Sequence, residues 1–208
     1  MAFTTSTPVP IVCVGNSNPG NPAGVTNGNI GEAASQTYLG GTPIALSSGN
    51  YAAWGGANPA GLPVILGVAI QGGQNLSTAA TAQHGNFGSV PNQSSAKNLY
   101  FSGPVDAAGV GGAGNPYYTW GNGNRFTALF GNNGASATPA ITDVGVYYGL
   151  TKDATTGYWY VDKNKATQGT STAVRIVGLD PGTSANGASI SSTTLVIFEG
   201  DPATVQPS

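Results

Sequence analysis

Apolar side chains at every second position, Val144, Val146, Tyr148 and Leu150, most narrow what this chain can become. That period sets one row of side chains on one face of a strand, whereas a helix repeats near every third or fourth position. The run ends in Leu-Thr-Lys, a polar segment from Asp153 to Gly157 intervenes, and an aromatic run Tyr158-Trp159-Tyr160-Val161 begins. Two β-rich runs joined by a short glycine-ending segment read as a hairpin, with Trp159 and Tyr160 on opposite faces of its second strand. Asp162-Lys163-Asn164-Lys165 breaks the chain again, and Val174-Arg175-Ile176-Val177 reads as a third strand. Asp180-Pro181-Gly182 is a turn, because proline presets φ and glycine supplies positive φ. Leu195-Val196-Ile197-Phe198 is a fourth strand. Residues 141–198 thus predict an antiparallel meander.

The rest of the chain reads as shorter strands between glycine-rich breaks. Residues 1–30 form an extended arm: Phe3, Val9, Ile11, Val12 and Val14 are apolar, and Pro8 and Pro10 limit any pairing to an edge. Two readings stay open: a frayed terminus, or an arm ordered by burying its apolar side chains on a neighbouring copy or another subunit. Residues 31–95 form a small β unit, with short strands at 35–39, 42–46 and 51–54 and a buried strand over 63–70. Residues 77–83 are the one place for a short helix. Residues 96–208 form the second unit, with strands at 99–101 and 126–130 leading into the meander. The fold class is all-β: antiparallel, sandwich-like or barrel-like units with long Gly/Asn-rich loops.

Charge narrows the partners. Only 7% of the 208 residues are charged, against roughly 25% in typical soluble proteins. Glycine is abundant at 33 residues, yet the net charge is only −2 and there are 3 Trp, 9 Tyr and 6 Phe, which argues for packing rather than disorder. Glu32 is the only charged residue before Lys97. The 6 basic residues form no cluster, so neither nucleic acid nor an anionic membrane is an expected partner. A nearly neutral surface lacks the charge that keeps isolated proteins apart, and suits a chain that works in an assembly. No apolar run approaches the roughly 20 residues of a membrane span or resembles a signal peptide.

No catalytic, cofactor or metal residue is expected. Gly109, Gly111 and Gly114 match a dinucleotide pattern, but Asn115-Pro116 follows where a helix must start. With His84 and Cys13 each alone, a His/Cys zinc site within one chain and a disulfide are both excluded. Asp143, Asp153 and Asp162 flank the hairpin, where aspartate is also an ordinary turn residue; as a hydrolytic pair they lack a specifying context. The aromatics Tyr117, Tyr118, Trp120, Tyr147, Tyr148, Tyr158, Trp159 and Tyr160 could stack on sugars. Strand alternation instead sends half of them inward and leaves the others for a subunit interface. The expected partner-contact residues are Phe3, Val9, Ile11, Val12, Val14, Tyr117, Tyr118 and Trp120.

DVGVYYGLTKDATTGYWYVD at residues 143–162, with VRIVGLDPGT and the last LVIF strand, resembles the C-terminal half of a family of tailed-phage head proteins. These are the capsid decoration, cement or stabilisation proteins. GNRFTALFGNN and GEAASQTYLGGTPIALSSG fit the same family, so the resemblance runs from about residue 31 onward. It implies a non-enzymatic virion protein, made in the host cytoplasm, that sits on the capsid exterior and bridges neighbouring major-capsid subunits. It also implies contact with copies of itself, often as trimers. A phage tail or fibre module that binds glycans is the alternative, and a secreted carbohydrate-active enzyme is a third.

Overall fold

The structure is a computed structural model, described here over residues 9–16, 24–25, 37–47, 50–55, 65–70, 72–74, 99–101, 117–121, 123–166, 173–180 and 190–202. The fold is all-β. In chain order the strands are β1 Val12–Asn16, β2 Gly24–Val25, β3 Thr37–Tyr38, β4 Pro43–Ser47, β5 Asn50–Ala53, β6 Gly67–Ala69, β7 Gly72–Gln74 and β8 Leu99–Phe101. They continue as β9 Tyr117–Thr119, β10 Asn124–Asn132, β11 Ala135–Ser136, β12 Tyr147–Lys152, β13 Trp159–Asp162, β14 Val174–Asp180 and β15 Leu195–Gly200. A 3-10 turn at Ile141–Asp143 precedes β12.

The chain divides into two compact units. One comprises Met1–Ala23, Gly55–Val64 and Trp120–Ser208, the other Gly24–Trp54 and Ile65–Thr119. This differs from the expected boundaries near residues 30 and 95. The N-terminal residues join the C-terminal unit because β1 pairs antiparallel with β10, Val12 opposite Thr127 and Asn16 opposite Asn124. The expected arm is therefore, from Val12 to Asn16, an edge strand of the chain's own sheet; Phe3 lies outside the described residues.

In that unit β10, the nine-residue strand, is bonded along both edges. Residues 125–129 pair antiparallel with β15, and Phe130 and Gly131 pair parallel with β13. The path β10-β13-β12-β14-β15 then returns to β10, so the strands close into a small barrel. Closure removes edges from those strands and leaves β1 laid outside on β10. The expected hairpin forms, with Leu150 opposite Val161 and Lys152 opposite Trp159. The simple meander does not. β14 pairs with β12 rather than with its chain neighbour β13, because β13 gives its other edge to β10. The strand also begins later than the alternation suggests: Val144 is exposed in a turn, and Gly145 (φ 89°) supplies a backbone conformation closed to most side chains.

Alternation fills the barrel. Phe126, Ala128 and Phe130 of β10, Val196 and Phe198 of β15, and Val174 and Ile176 of β14 are all buried. Phe126, Trp120 and Phe198 form a triangle of rings, Phe126 stacked at a centroid distance of 5.7 Å from each of the others and those two tilted at 6.1 Å, and Phe130 meets Tyr148 edge-on at 5.4 Å. Gly200 is required here: a Cβ would strike the Trp120 carbonyl oxygen and come within 2.6 Å of its indole ring. Trp159 and Tyr160 take opposite faces of β13, and both are buried.

The second unit holds the sheet β2-β9-β6-β4-β5 and the small sheet β3-β7-β8, in which β7 and β8 run parallel. Tyr38, Ile44, Ala69 and Tyr117 form its core, with Leu46, Ala53 and Leu66 against it. The expected buried strand over 63–70 shrinks to β6 and a bridge at Ile65, all buried. Gly67 faces Tyr117 and Tyr118 of β9 so closely that no Cβ fits. The expected helix at 77–83 and the Gly109–Gly114 loop lie outside the described residues.

Replacing Gly200 by Ala should force the Trp120 ring off its stack and cost about 1–3 kcal/mol. The measurement is the urea midpoint at unchanged slope. A midpoint equal to that of the parent protein would contradict this packing.

Candidate interaction surfaces

The first surface is β1. Ile11 is buried beneath it, and one side of the strand is bonded to β10. No further described strand pairs with its outer edge. Val12 and Val14 are 49% and 51% exposed, and Val9 is exposed beyond the start of the strand. A bulge between Cys13 and Gly15 twists the edge locally. Asn16 Nδ2 donates to Asn124 Oδ1 at 2.9 Å and fixes the strand's far end. Residues 9–16 carry no charge.

The second surface is the turn before β12. Ile141 is 73% exposed, and Ala140, Thr142, Val144 and Gly145 are exposed beside it. Such a turn would collapse unless held from below. The anchor is Asp143, buried under its exposed neighbours. Its Oδ2 accepts the Ala140 N–H at 2.8 Å, and its Oδ1 accepts the Tyr148 hydroxyl at 2.6 Å. Lys163 Nζ stands 3.4 Å from Oδ1 and 5.7 Å from the centre of the Phe130 ring. The Gly145 N–H donates to Ile176 O at 2.8 Å, tying the turn to β14. The result is an exposed apolar turn held over a buried carboxylate that is hydrogen-bonded and paired with Lys163.

Electrostatics follow the same contacts. Burial alone would raise the Asp143 pKa, but the Tyr148 hydroxyl, the Ala140 N–H and the Lys163 ammonium outweigh it and hold the carboxyl below its ordinary value. Burial, and then the bond to Asp143 and its charge, push the Tyr148 phenol far above its ordinary range.

The other hairpin carboxylates are likewise absorbed in local structure. Asp153 accepts the Thr156 N–H at 2.7 Å and the Thr156 hydroxyl, closing the turn between β12 and β13. Asp162 accepts the N–H groups of Asn133 and Asn164 at 2.9 and 3.1 Å and the Thr151 hydroxyl at 2.7 Å. The Asn133 bond steadies the Asn133-Gly134 turn, where φ is 49° and 87°. Lys165 donates to Leu150 O at 2.8 Å, and burial lowers its pKa against the pull of Asp162. On the outer face Glu199 of β15 bridges Arg125 of β10 at 3.0 Å and Arg175 of β14 at 3.7 Å. Exposed pairs of this kind add little stability, and the single carboxylate offsets one of the two arginine charges.

The expected contact residues separate into two groups. Val9, Val12 and Val14 are on the surface, and Tyr118 is half-buried. Ile11, Tyr117 and Trp120 are buried in the chain's own cores, so these three present no face to a partner. The aromatic sugar platform is dispersed for the same reason: Tyr148, Trp159 and Tyr160 are buried and Tyr147 and Tyr158 half-buried. His84 lies outside the described residues. The protrusion at Ile141 was not anticipated. Its one sequence signal is Ala-Ile-Thr-Asp followed by Val-Gly, an apolar pair astride an aspartate that can accept the N–H three residues back. Among the described residues no group of three or more His, Cys, Asp or Glu side chains is placed to hold a metal ion. No family model, curated protein or solved structure matches this chain.

Two measurements test the anchor. Since Asp143's folded pKa lies below its unfolded value, its contribution is complete above the ordinary carboxylate range near pH 4 and is lost as pH falls through the folded value. Stability measured across acid pH should therefore drop below about pH 4, and Asp143→Asn should flatten that drop. An unchanged slope in the variant would contradict the pairing. Tyr148→Phe removes a buried donor to a carboxylate and should cost about 1–3 kcal/mol at neutral pH, read from denaturant unfolding.

Proposed function

We propose that this chain is a structural protein of a phage head, one that decorates the assembled shell and cements neighbouring major-capsid subunits. The observation that carries the proposal is that one closed barrel bears two separate, uncharged, apolar surfaces: the β1 row and the Ile141 turn. A cement must be stiff and must touch more than one neighbour. The closed barrel supplies the stiffness, and the two surfaces supply the contacts. The family resemblance of residues 143–162 and 174–198 supports the same reading.

Magnitudes explain why such surfaces suit a lattice. Burying a valine or isoleucine side chain returns about 1.5–3 kcal/mol. Association costs about 4–15 kcal/mol in lost freedom before any surplus appears. A contact made by two or three such side chains is therefore weak alone. Repeated over many copies held on one shell, weak contacts add through effective concentration. Neutral surfaces also avoid mutual repulsion between densely packed copies.

The test uses purified protein and heads assembled without it. The protein should bind at a fixed number of copies per head and raise the temperature at which heads release DNA. Val12→Glu with Val14→Glu should weaken binding by about tenfold or more, which is about 1.4 kcal/mol or more. These substitutions are preferable to removing residues 1–14, which would take away part of a sheet strand. Heads that take up none of the protein would refute the proposal.

A further inference from the structure

A charged row crosses the outer face of the barrel unit's sheet. Arg125 on β10 stands opposite Glu199 on β15, Glu199 opposite Arg175 on β14, and Arg175 opposite Tyr147 on β12. Their chain neighbours Phe126, Phe198, Ile176 and Tyr148 are buried, so alternation turns these four outward. Arg125 Nε donates to Glu199 Oε1 at 3.0 Å, whereas Arg175 Nη2 stands 3.7 Å from Oε2, outside hydrogen-bond range. Both arginine side chains are close to half exposed, at 44% and 46%, and Tyr147 is half-buried. These residues are scattered along the sequence, and only strand pairing collects them. We propose that the row binds a carboxylate-bearing sugar of the uronic or sialic acid type, an activity separate from the decoration role.

The donors and acceptors of the row select that chemistry. Two guanidinium groups share one carboxylate, so one positive charge is left over. Arg125 uses its Nε on Glu199, and among the described residues its two Nη groups take no other acceptor. An arginine fork of this kind matches a carboxylate. On the other side of Arg125 lies its β1 partner Gly15, where an added Cβ would meet nothing within 4 Å, so the space beside the fork is open. Glu199, 22% exposed, accepts and does not donate, so the ligand must bring hydroxyl or N–H donors next to its anion. Tyr147 supplies a ring whose face takes apolar C–H groups and whose hydroxyl hydrogen-bonds at the edge. A carboxylate, hydroxyl donors and an apolar ring face occur together on one acidic sugar. A nucleic acid needs several cations and would meet Glu199 as a repulsive neighbour. An acidic peptide brings carboxylates without the hydroxyls beside them. The row is not the aromatic platform considered from the sequence: it holds one ring, and charge selects its ligand.

Calorimetric titration of the full chain at low salt tests the site. The probes are a galacturonate trimer, the same trimer fully methyl-esterified, and triglutamate. The galacturonate trimer should bind saturably. The ester keeps the rings and loses the charge, and triglutamate keeps the charge and loses the rings; each should bind at least about tenfold more weakly. Arg175→Gln and Tyr147→Ala should each weaken the trimer by about tenfold while keeping the parent's circular dichroism, with Arg125→Gln as the further variant should either not fold. A trimer that does not bind, an ester or triglutamate that binds equally well, or variants that bind as the parent does would each overturn the site. Uptake by heads is measured separately. A chain that ignores the trimer and decorates heads overturns this site alone; a chain that binds the trimer and ignores heads overturns the decoration role alone.

Discussion

The three-ring cluster of Phe126, Trp120 and Phe198 is the interaction on which the barrel depends. It joins β10 to β15 from within, while backbone pairing joins them along the edge. It also fixes what may stand at residue 200, since the indole occupies the space where any Cβ would project. With β15 held on one edge of β10, the other edge remains for β13 and β1. The ring order follows: β13 is shared between β10 and β12, and β14 must reach past it to β12. The aromatic cluster and the glycine thus sit where β10 meets β15, the pairing that closes the ring.

Scarce charge has a structural counterpart. Of the 8 acidic residues, Asp143, Asp153 and Asp162 are buried and spent on turns around the β12–β13 hairpin. Glu199 lies between two arginines on the outer face. Three carboxylates are thereby turned inward, and a fourth offsets one of the two arginines beside it. The surface left at β1 and at Ile141 is apolar and neutral, which links the composition to the proposed role in a crowded lattice.

The longer strands were legible in the sequence; the short β2, β7, β9 and β11, and the partners of all, were not. Period-two patterning and glycine-asparagine punctuation identify β10, the β12–β13 hairpin, β14 and β15, because these signals are local. Closure through the parallel β10–β13 pair is set by contacts across 31 positions between Phe130 and Val161, for which no local signal exists. The same limit explains the mixed outcome for the contact residues. Val12 and Val14 are outward by alternation on an edge strand, as expected of proline-flanked sequence. Trp120 reads as a surface aromatic in the Pro-Tyr-Tyr-Thr-Trp run, yet it is fully buried because Phe126 and Phe198 converge on it. The Ile141 turn was missed because the alternation beginning at Val144 suggests a strand, and only Asp143 and Gly145 redirect the chain.

The proposed role has one most direct test: imaging intact particles at a resolution that traces side chains. The account predicts this barrel on the outside of the head, repeated at fixed lattice positions, with the Ile141 turn and the β1 row in contact with neighbouring subunits. Density for the chain in the tail or fibres, or its absence from the head, would contradict it.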